Sequence, residues 1–164
     1  LGLAQRLLLL CNEWEAALII NDHADLAMAT GAHGAHMGQK DLPVKMARNV
    51  LRPWQIVGNS TALVDEAIVA FQENADYIAV GAMFKSSSKQ DTRPAGPETL
   101  REIREIIPKD GPPLIAIGGI TIKNVGIVRN SGADGICVIS EVAMASDPAR
   151  AARALLRAFR AQKR

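Results

Sequence analysis

A parallel-sheet α/β fold is predicted by three features of the 164-residue sequence. Helix-like and strand-like segments alternate from end to end. The strand-like segments are continuously apolar, the pattern of strands buried on both faces beneath helix crossovers. Three segments also share one design: "GAHGAHMG" (31–38), "NADYIAVG" (74–81) and "GADGICVI" (132–139). Each opens with Gly or Asn, suited to the left-handed position that ends a helix. An alanine, a polar residue and a strand follow. Two architectures fit, a doubly wound sheet and a (β/α)8 barrel.

The elements read in order. Residues 2–14 form a helix with Leu3, Leu7, Leu10 and Cys11 at helical spacing. "AALIIN" (16–21) is a buried strand and "ADLAMAT" (24–30) a short helix. "GAHMG" (34–38) is a strand, followed by a helix over 43–51 that Pro43 opens. "WQIVGNS" (54–60) is the third strand. Residues 62–73 form an amphipathic helix with Leu63, Ala67, Ile68 and Phe71 on one face. "DYIAVG" (76–81) is the fourth strand, leading into a long polar loop and a helix at 97–107. "PLIAIGG" (113–119) and "GICVIS" (135–140) are the last two strands, with a helix at 122–131 between them and another at 147–162. Six strands are too few to close a barrel, but the sequence opens in mid-pattern, on a helix.

Composition excludes several classes of function. An apolar fraction of 48% and a charged fraction of 22% describe a folded globular chain. No apolar run is long enough to span a membrane. A net charge of +2 with no basic, aromatic-interleaved stripe gives nucleic acid nothing to bind. The basic residues Arg150, Arg153, Arg157, Arg160, Lys163 and Arg164 cluster in the last helix, where they serve solubility and the helix dipole. Cys11 and Cys137 stand apart, which predicts a reduced cytoplasmic setting. His33 and His36, three apart on a strand, point to opposite faces and are not expected to share a metal.

In either architecture ligands bind at the carboxyl ends of the strands. Those ends deliver Asn21 and Asp22; Gly38, Gln39 and Asp41; Asn59, Ser60 and Thr61; Ser86, Ser87, Ser88 and Lys89; Gly118, Gly119 and Ile120; and Ile139, Ser140 and Glu141. Asp22 and Asp41 end neighbouring strands and suit Mg²⁺, with waters and phosphate oxygens completing its octahedron. Each also reads as a helix N-cap, since a helix follows both. The "IGGIT" turn and the "VIS" strand end suit phosphate held on backbone N–H groups. Ser86, Ser88 and Lys89 would clamp phosphate from a loop able to close over it.

These motifs together resemble the thiamine phosphate synthase family. "LIINDHADLAMATGAHGAHMGQKDLPV" (18–44), "GNST" (58–61), "VGAMFKSSSKQDTRPAG" (80–96), "IGGIT" (117–121) and "GADGICVIS" (132–140) follow its motifs in order. The resemblance implies a (β/α)8 barrel, of which this sequence carries about six β/α units of eight. It also implies an enzyme that joins a pyrimidine methyl diphosphate to a thiazole phosphate, releasing pyrophosphate. By the same resemblance Asn21 touches the pyrimidine diphosphate, Asp22 and Asp41 hold Mg²⁺, and Ser60 contacts the pyrimidine. Ser86 and Ser88 stand at the two threonines of the family's Pro-Thr-x-Thr-Lys loop and bind the thiazole phosphate side, while Lys89 binds the diphosphate. Gly118, Gly119, Ile139 and Ser140 cradle the thiazole phosphate. Lys85 stands where that loop has proline.

The family has two further strands before the first helix, the second ending in a Gln-x-Arg-x-Lys grip on the diphosphate; no equivalent occurs in these residues. A sheet left with two open edges would pair with another copy or a fused partner. Three other readings compete. A thiazole tautomerase of the same superfamily typically lacks the "GQKD" and loop-lysine features. A sugar- or indole-phosphate barrel would not need the Asp22–Asp41 pair. A non-catalytic phosphate-binding fragment remains as the non-enzymatic alternative.

Overall fold

The computed structural model describes residues 1–85 and 93–161. Its elements alternate as expected: α1 (Gly2–Glu13), β1 (Ile19–Asn21), α2 (Ala24–Thr30), β2 (Gly34–Met37), α3 (Val44–Val50), β3 (Ile56–Thr61), α4 (Val64–Gln72) and β4 (Tyr77–Val80). Then come α5 (Gly96–Ile106), β5 (Leu114–Ile117), α6 (Val125–Asn130), β6 (Gly135–Cys137), α7 (Ser140–Ala143) and α8 (Pro148–Arg160). The six strands pair in chain order, all parallel, as a curled half-barrel. Sequential order with no switch point settles the two architectures in favour of the barrel type over the doubly wound sheet.

The repeated segment accounts for much of this regularity. Gly31, Asn74 and Gly132 all take positive φ, at 71°, 61° and 96°, and so end α2, α4 and α6. The polar residue two positions on performs the same task each time. The Leu18 N–H donates to His33 Nδ1 at 2.9 Å, the Val57 N–H to Asp76 Oδ2 at 2.7 Å, and the Leu114 N–H to Asp134 Oδ2 at 2.8 Å. Each clip ties the amino end of one strand to the residue just before the next. Arginines seal two of them: Arg48 pairs with Asp76, and Arg104 with Asp134. His33 is therefore occupied at the bottom of the sheet while His36 faces the barrel interior, which agrees with the separation expected of them.

Burial departs from the sequence reading in one respect. The sequence predicts cover on both faces, but the buried side is the helix side of β2 to β5, with Ala35, Met37, Val57, Ile78, Val80, Leu114 and Ala116, joined on the other side by Ala79. The alternate residues His36, Ser60, Tyr77, Ile115 and Ile117 are half-buried, because the six strands curl without closing. Helix α1 differs likewise. It forms as expected, yet Leu3 and Trp14 are 68% and 73% exposed and only Ala4 is buried. Amphipathic spacing establishes that a helix has an apolar face, not that a neighbour covers it. Among the described residues, no helix is long and apolar enough to cross a membrane.

Candidate active site at the barrel mouth

The carboxyl ends of β1 to β3 are braced to one another. Asp22 follows β1 with φ 66°, an uncommon conformation for a non-glycine residue, and its N–H donates to the His36 carbonyl at 2.8 Å. Asp41 folds back on its own loop, its Oδ2 accepting from the Gly38 N–H at 2.7 Å. Neither carboxylate caps a helix: α2 starts after His23 and α3 after Pro43, without a side-chain cap at either. The cap reading is thus corrected, since the tight turn after each strand places the Asp short of the first helical turn. Gln39 is a brace, donating to Asn59 Oδ1 at 3.2 Å and to the Ser60 carbonyl at 2.8 Å. Asn59 Nδ2 in turn donates to the Met37 carbonyl at 3.0 Å.

The donor set suits Mg²⁺. Two carboxylates at adjacent strand ends supply hard oxygens, and no cluster of three His, Cys, Asp or Glu among the described residues would close a structural metal site. A cation there would draw its remaining ligands from water and substrate oxygens.

On the other side of the mouth, Gly118 and Gly119 both take positive φ, 98° and 63°. A Cβ on Gly119 would lie 2.7 Å from the carbonyl oxygens of Phe84 and Lys85, so only glycine lets this turn pass beneath the end of β4. Helix α6 starts at Val125, later than the expected 122. Asn124 Oδ1 accepts from the Thr121 N–H at 2.7 Å and its Nδ2 donates to the Gly119 carbonyl at 2.9 Å, which holds 119–124 as a turn. Among the described residues the N–H groups of Gly119 and Ile120 have no partner. Strand β6 likewise ends at Cys137, earlier than expected, because Ile139 and Ser140 begin α7. Glu141 Oε1 accepts from the Ile122 N–H at 3.0 Å and joins this helix to the glycine turn. The sequence marks Glu141 only as a strand-end residue; this link depends on a contact between α7 and a distant turn that no local pattern carries.

Ser86, Ser88 and Lys89 lie outside the described residues. The described residues that flank 86–92 are held at the mouth. Met83 and Phe84 donate to the carbonyls of Ile117 and Gly118, and the Ala82 N–H donates to the Arg93 carbonyl at 2.9 Å. Arg93 also makes a two-pronged pair with Glu66, at 2.6 and 2.8 Å, while Glu66 Oε2 accepts from the Ala62 and Leu63 N–H groups ahead of α4. Burial pushes the Glu66 carboxyl up, but Arg93 and those two N–H groups outweigh it and hold the carboxyl below its ordinary value. A depressed carboxyl stabilises the fold above its unfolded pKa and loses that contribution as pH falls through the folded value. Urea midpoints of the parent and of Glu66→Gln should therefore differ at neutral pH, begin to approach one another below about pH 4.3, and meet only once the pH lies below the folded value. A gap that persists in acid would remove Glu66 ionisation from the account.

A parallel β/α half-barrel whose strand ends gather carboxylates, a glycine turn and hydroxyls around one open mouth is the class of protein that fold and site define. The sequence profile described as thiamine monophosphate synthase matches residues 1–142. The thiamine-phosphate synthase of Chlorobium luteolum is 46% identical over 155 residues, covering 94% of this chain and 72% of that protein. The enzyme of the same name from Shouchella clausii is 43% identical over 156 residues, covering 95% and 74%. Among solved structures, thiamine phosphate pyrophosphorylase from Pyrococcus furiosus is similar at a TM-score of 0.86 and 34% identity, over 96% of this chain and 74% of that one. Orotidine 5'-phosphate decarboxylase from Pyrococcus horikoshii, at a TM-score of 0.71 and 16% identity over 97% of this chain and 81% of that one, shares the fold alone.

The chain belongs to the thiamine monophosphate synthase family. The function expected from its motifs, thiamine-phosphate synthesis by a transferase, is the one this family carries.

Proposed function

We propose that the protein transfers a pyrimidinylmethyl group from its diphosphate to the ring nitrogen of a thiazole phosphate, releasing pyrophosphate and forming thiamine phosphate. One observation supports the assignment of roles: Asp22, Asp41, Ser60, the Gly118–Gly119 turn, Ser140 and the residues flanking 86–92, Phe84 and Arg93, all lie at the carboxyl end of the sheet. Asp22 and Asp41 would hold Mg²⁺, which when bound supplies positive charge to the departing pyrophosphate. Asn21 binds the diphosphate, and Lys89 adds a second positive charge as the C–O bond breaks. Ser60 holds the pyrimidine while it carries developing positive charge. Gly118, Gly119, Ile139 and Ser140 hold the thiazole phosphate, for which the Gly119 N–H, without a partner among the described residues, is suited. Ser86 and Ser88 contact the same phosphate from the loop. Binding both substrates in one mouth sets nucleophile and carbon at close range, and no protein nucleophile is required. A cytoplasmic setting accords with two cysteines that carry no disulfide.

The test is Lys89→Ala in the full-length protein, followed by pyrophosphate release. Losing one charge that stabilises the leaving group should cut kcat by about 10²-fold, with Lys89→Arg recovering part of it. Isomerisation of the thiazole phosphate without pyrophosphate release would overturn the assignment in favour of a tautomerase.

A further inference from the structure

One rung of the sheet carries an arrangement that the roles above do not use. His36 on β2, Gly58 on β3 and Tyr77 on β4 are register partners in a row. A Cβ at Gly58 would fall 2.0 Å from Tyr77 Cζ, so the tyrosine ring occupies the space above β3 that a side chain there would fill. The ring thereby reaches across to β2 and stacks on His36, with centroids 5.5 Å apart and planes 20° apart. The Tyr77 hydroxyl lies 2.8 Å from His36 Nδ1, and His36 Nε2 lies 2.7 Å from Ser60 Oγ. Ser60 stands two residues beyond Gly58, on the same face and nearer the mouth.

We propose that Tyr77 and His36 form a relay that fixes the Ser60 hydroxyl as a hydrogen-bond donor toward the pyrimidine. This rests on the reading of Ser60 as a pyrimidine contact. A phenol is a stronger donor and a weaker acceptor than an alcohol, so Tyr77 O–H donates to Nδ1 and the imidazole carries its proton on Nε2. Burial, and to a lesser degree the Cys137 thiol, push the Tyr77 hydroxyl up to about 12, so it keeps the proton it donates. Nε2–H then donates to Ser60 Oγ and leaves the serine's own proton for a ring nitrogen of the ligand. In the opposite tautomer, Ser60 would spend that proton on the imidazole and offer the ligand only lone pairs. Gln39 holds the Ser60 carbonyl at 2.8 Å, which keeps the backbone still beneath the relay. His36 and Tyr77 are positioning residues; neither needs to touch substrate.

Two measurements on the full-length protein test this. Nitrogen-15 spectra of the histidine side chains should show His36 as the Nε2–H tautomer, losing that preference in Tyr77→Phe; an Nδ1–H tautomer in the parent overturns the relay whatever Ser60 does. In kinetics, His36→Ala should lose about tenfold in kcat/KM for the pyrimidine diphosphate, the scale of one hydrogen bond, with KM for the thiazole phosphate unchanged. Tyr77→Phe should lose less, and His36→Gln, which keeps an N–H near Ser60, should recover most of the loss. The double variant His36→Ala/Ser60→Ala should be no worse than Ser60→Ala; multiplying losses would overturn the relay. An Nε2–H tautomer combined with a silent Ser60→Ala would overturn the pyrimidine contact instead.

Discussion

Asp41→Asn in the full-length protein should lose about 10²-fold or more in kcat at saturating Mg²⁺, while melting within a few degrees of the parent. The two effects separate because one oxygen of Asp41 holds the turn, while the proposed metal role rests on its charge. That oxygen accepts from the Gly38 N–H at 2.7 Å, and the carbonyl of asparagine can take its place, so the turn after β2 survives. What disappears is the negative charge, and with it half of the carboxylate pair proposed to hold Mg²⁺. Asp41→Ala should abolish turnover too, at some further cost to the turn. Unchanged turnover in Asp41→Asn would remove the residue from the metal site. At Mg²⁺ concentrations below saturation the loss should be larger still, as expected when one charged ligand of two is lost.

Gln55→Ala should destabilise the fold by about 3–5 kcal/mol, lowering the melting temperature by roughly 10 °C, with thiamine phosphate formation at low temperature intact. Gln55 is 1% exposed at the amino end of β3, and every hydrogen-bonding group of its side chain is engaged. Its Nε2 donates to the carbonyls of Ala27 and Ala32 at 3.0 and 2.6 Å, and its Oε1 accepts from the Arg52 N–H at 2.9 Å. Truncation would strand those groups in the interior beside a cavity. Gln55→Glu should be worse than its size suggests, because its carboxylate would face two carbonyl oxygens. A melting temperature within two degrees of the parent in Gln55→Ala would show that water replaces the amide.

The order of strands and the parallel sheet were legible because the chain repeats a local design whose physics is local. Gly31, Asn74 and Gly132 end helices by positive φ, and each is followed by an acceptor that clips a strand. The strand-end residues could be named for the same reason, since parallel topology alone sends them to one mouth. What the sequence could not yield depends on contacts between distant segments. The late start of α6 follows from Asn124 reaching back to Gly119 and Thr121, and the link from Glu141 to Ile122 joins α7 to the turn before α6. The exposure of α1 follows from which neighbours it has, not from its spacing. The Tyr77–His36–Ser60 array needs three strands in register and an empty position at Gly58, so the sequence named Ser60 without linking it to His36 or Tyr77.

The three clips lie at the amino ends of the strands, and the residues proposed to face substrate lie at the carboxyl ends. Chemistry and fold maintenance thus occupy opposite rims, separated by the length of a strand. Substitutions on the two rims should combine without interaction, each set read by its own assay. Such a protein can drift in what it catalyses while its folding instructions stay untouched, and those instructions recur often enough that loss of one leaves two in place.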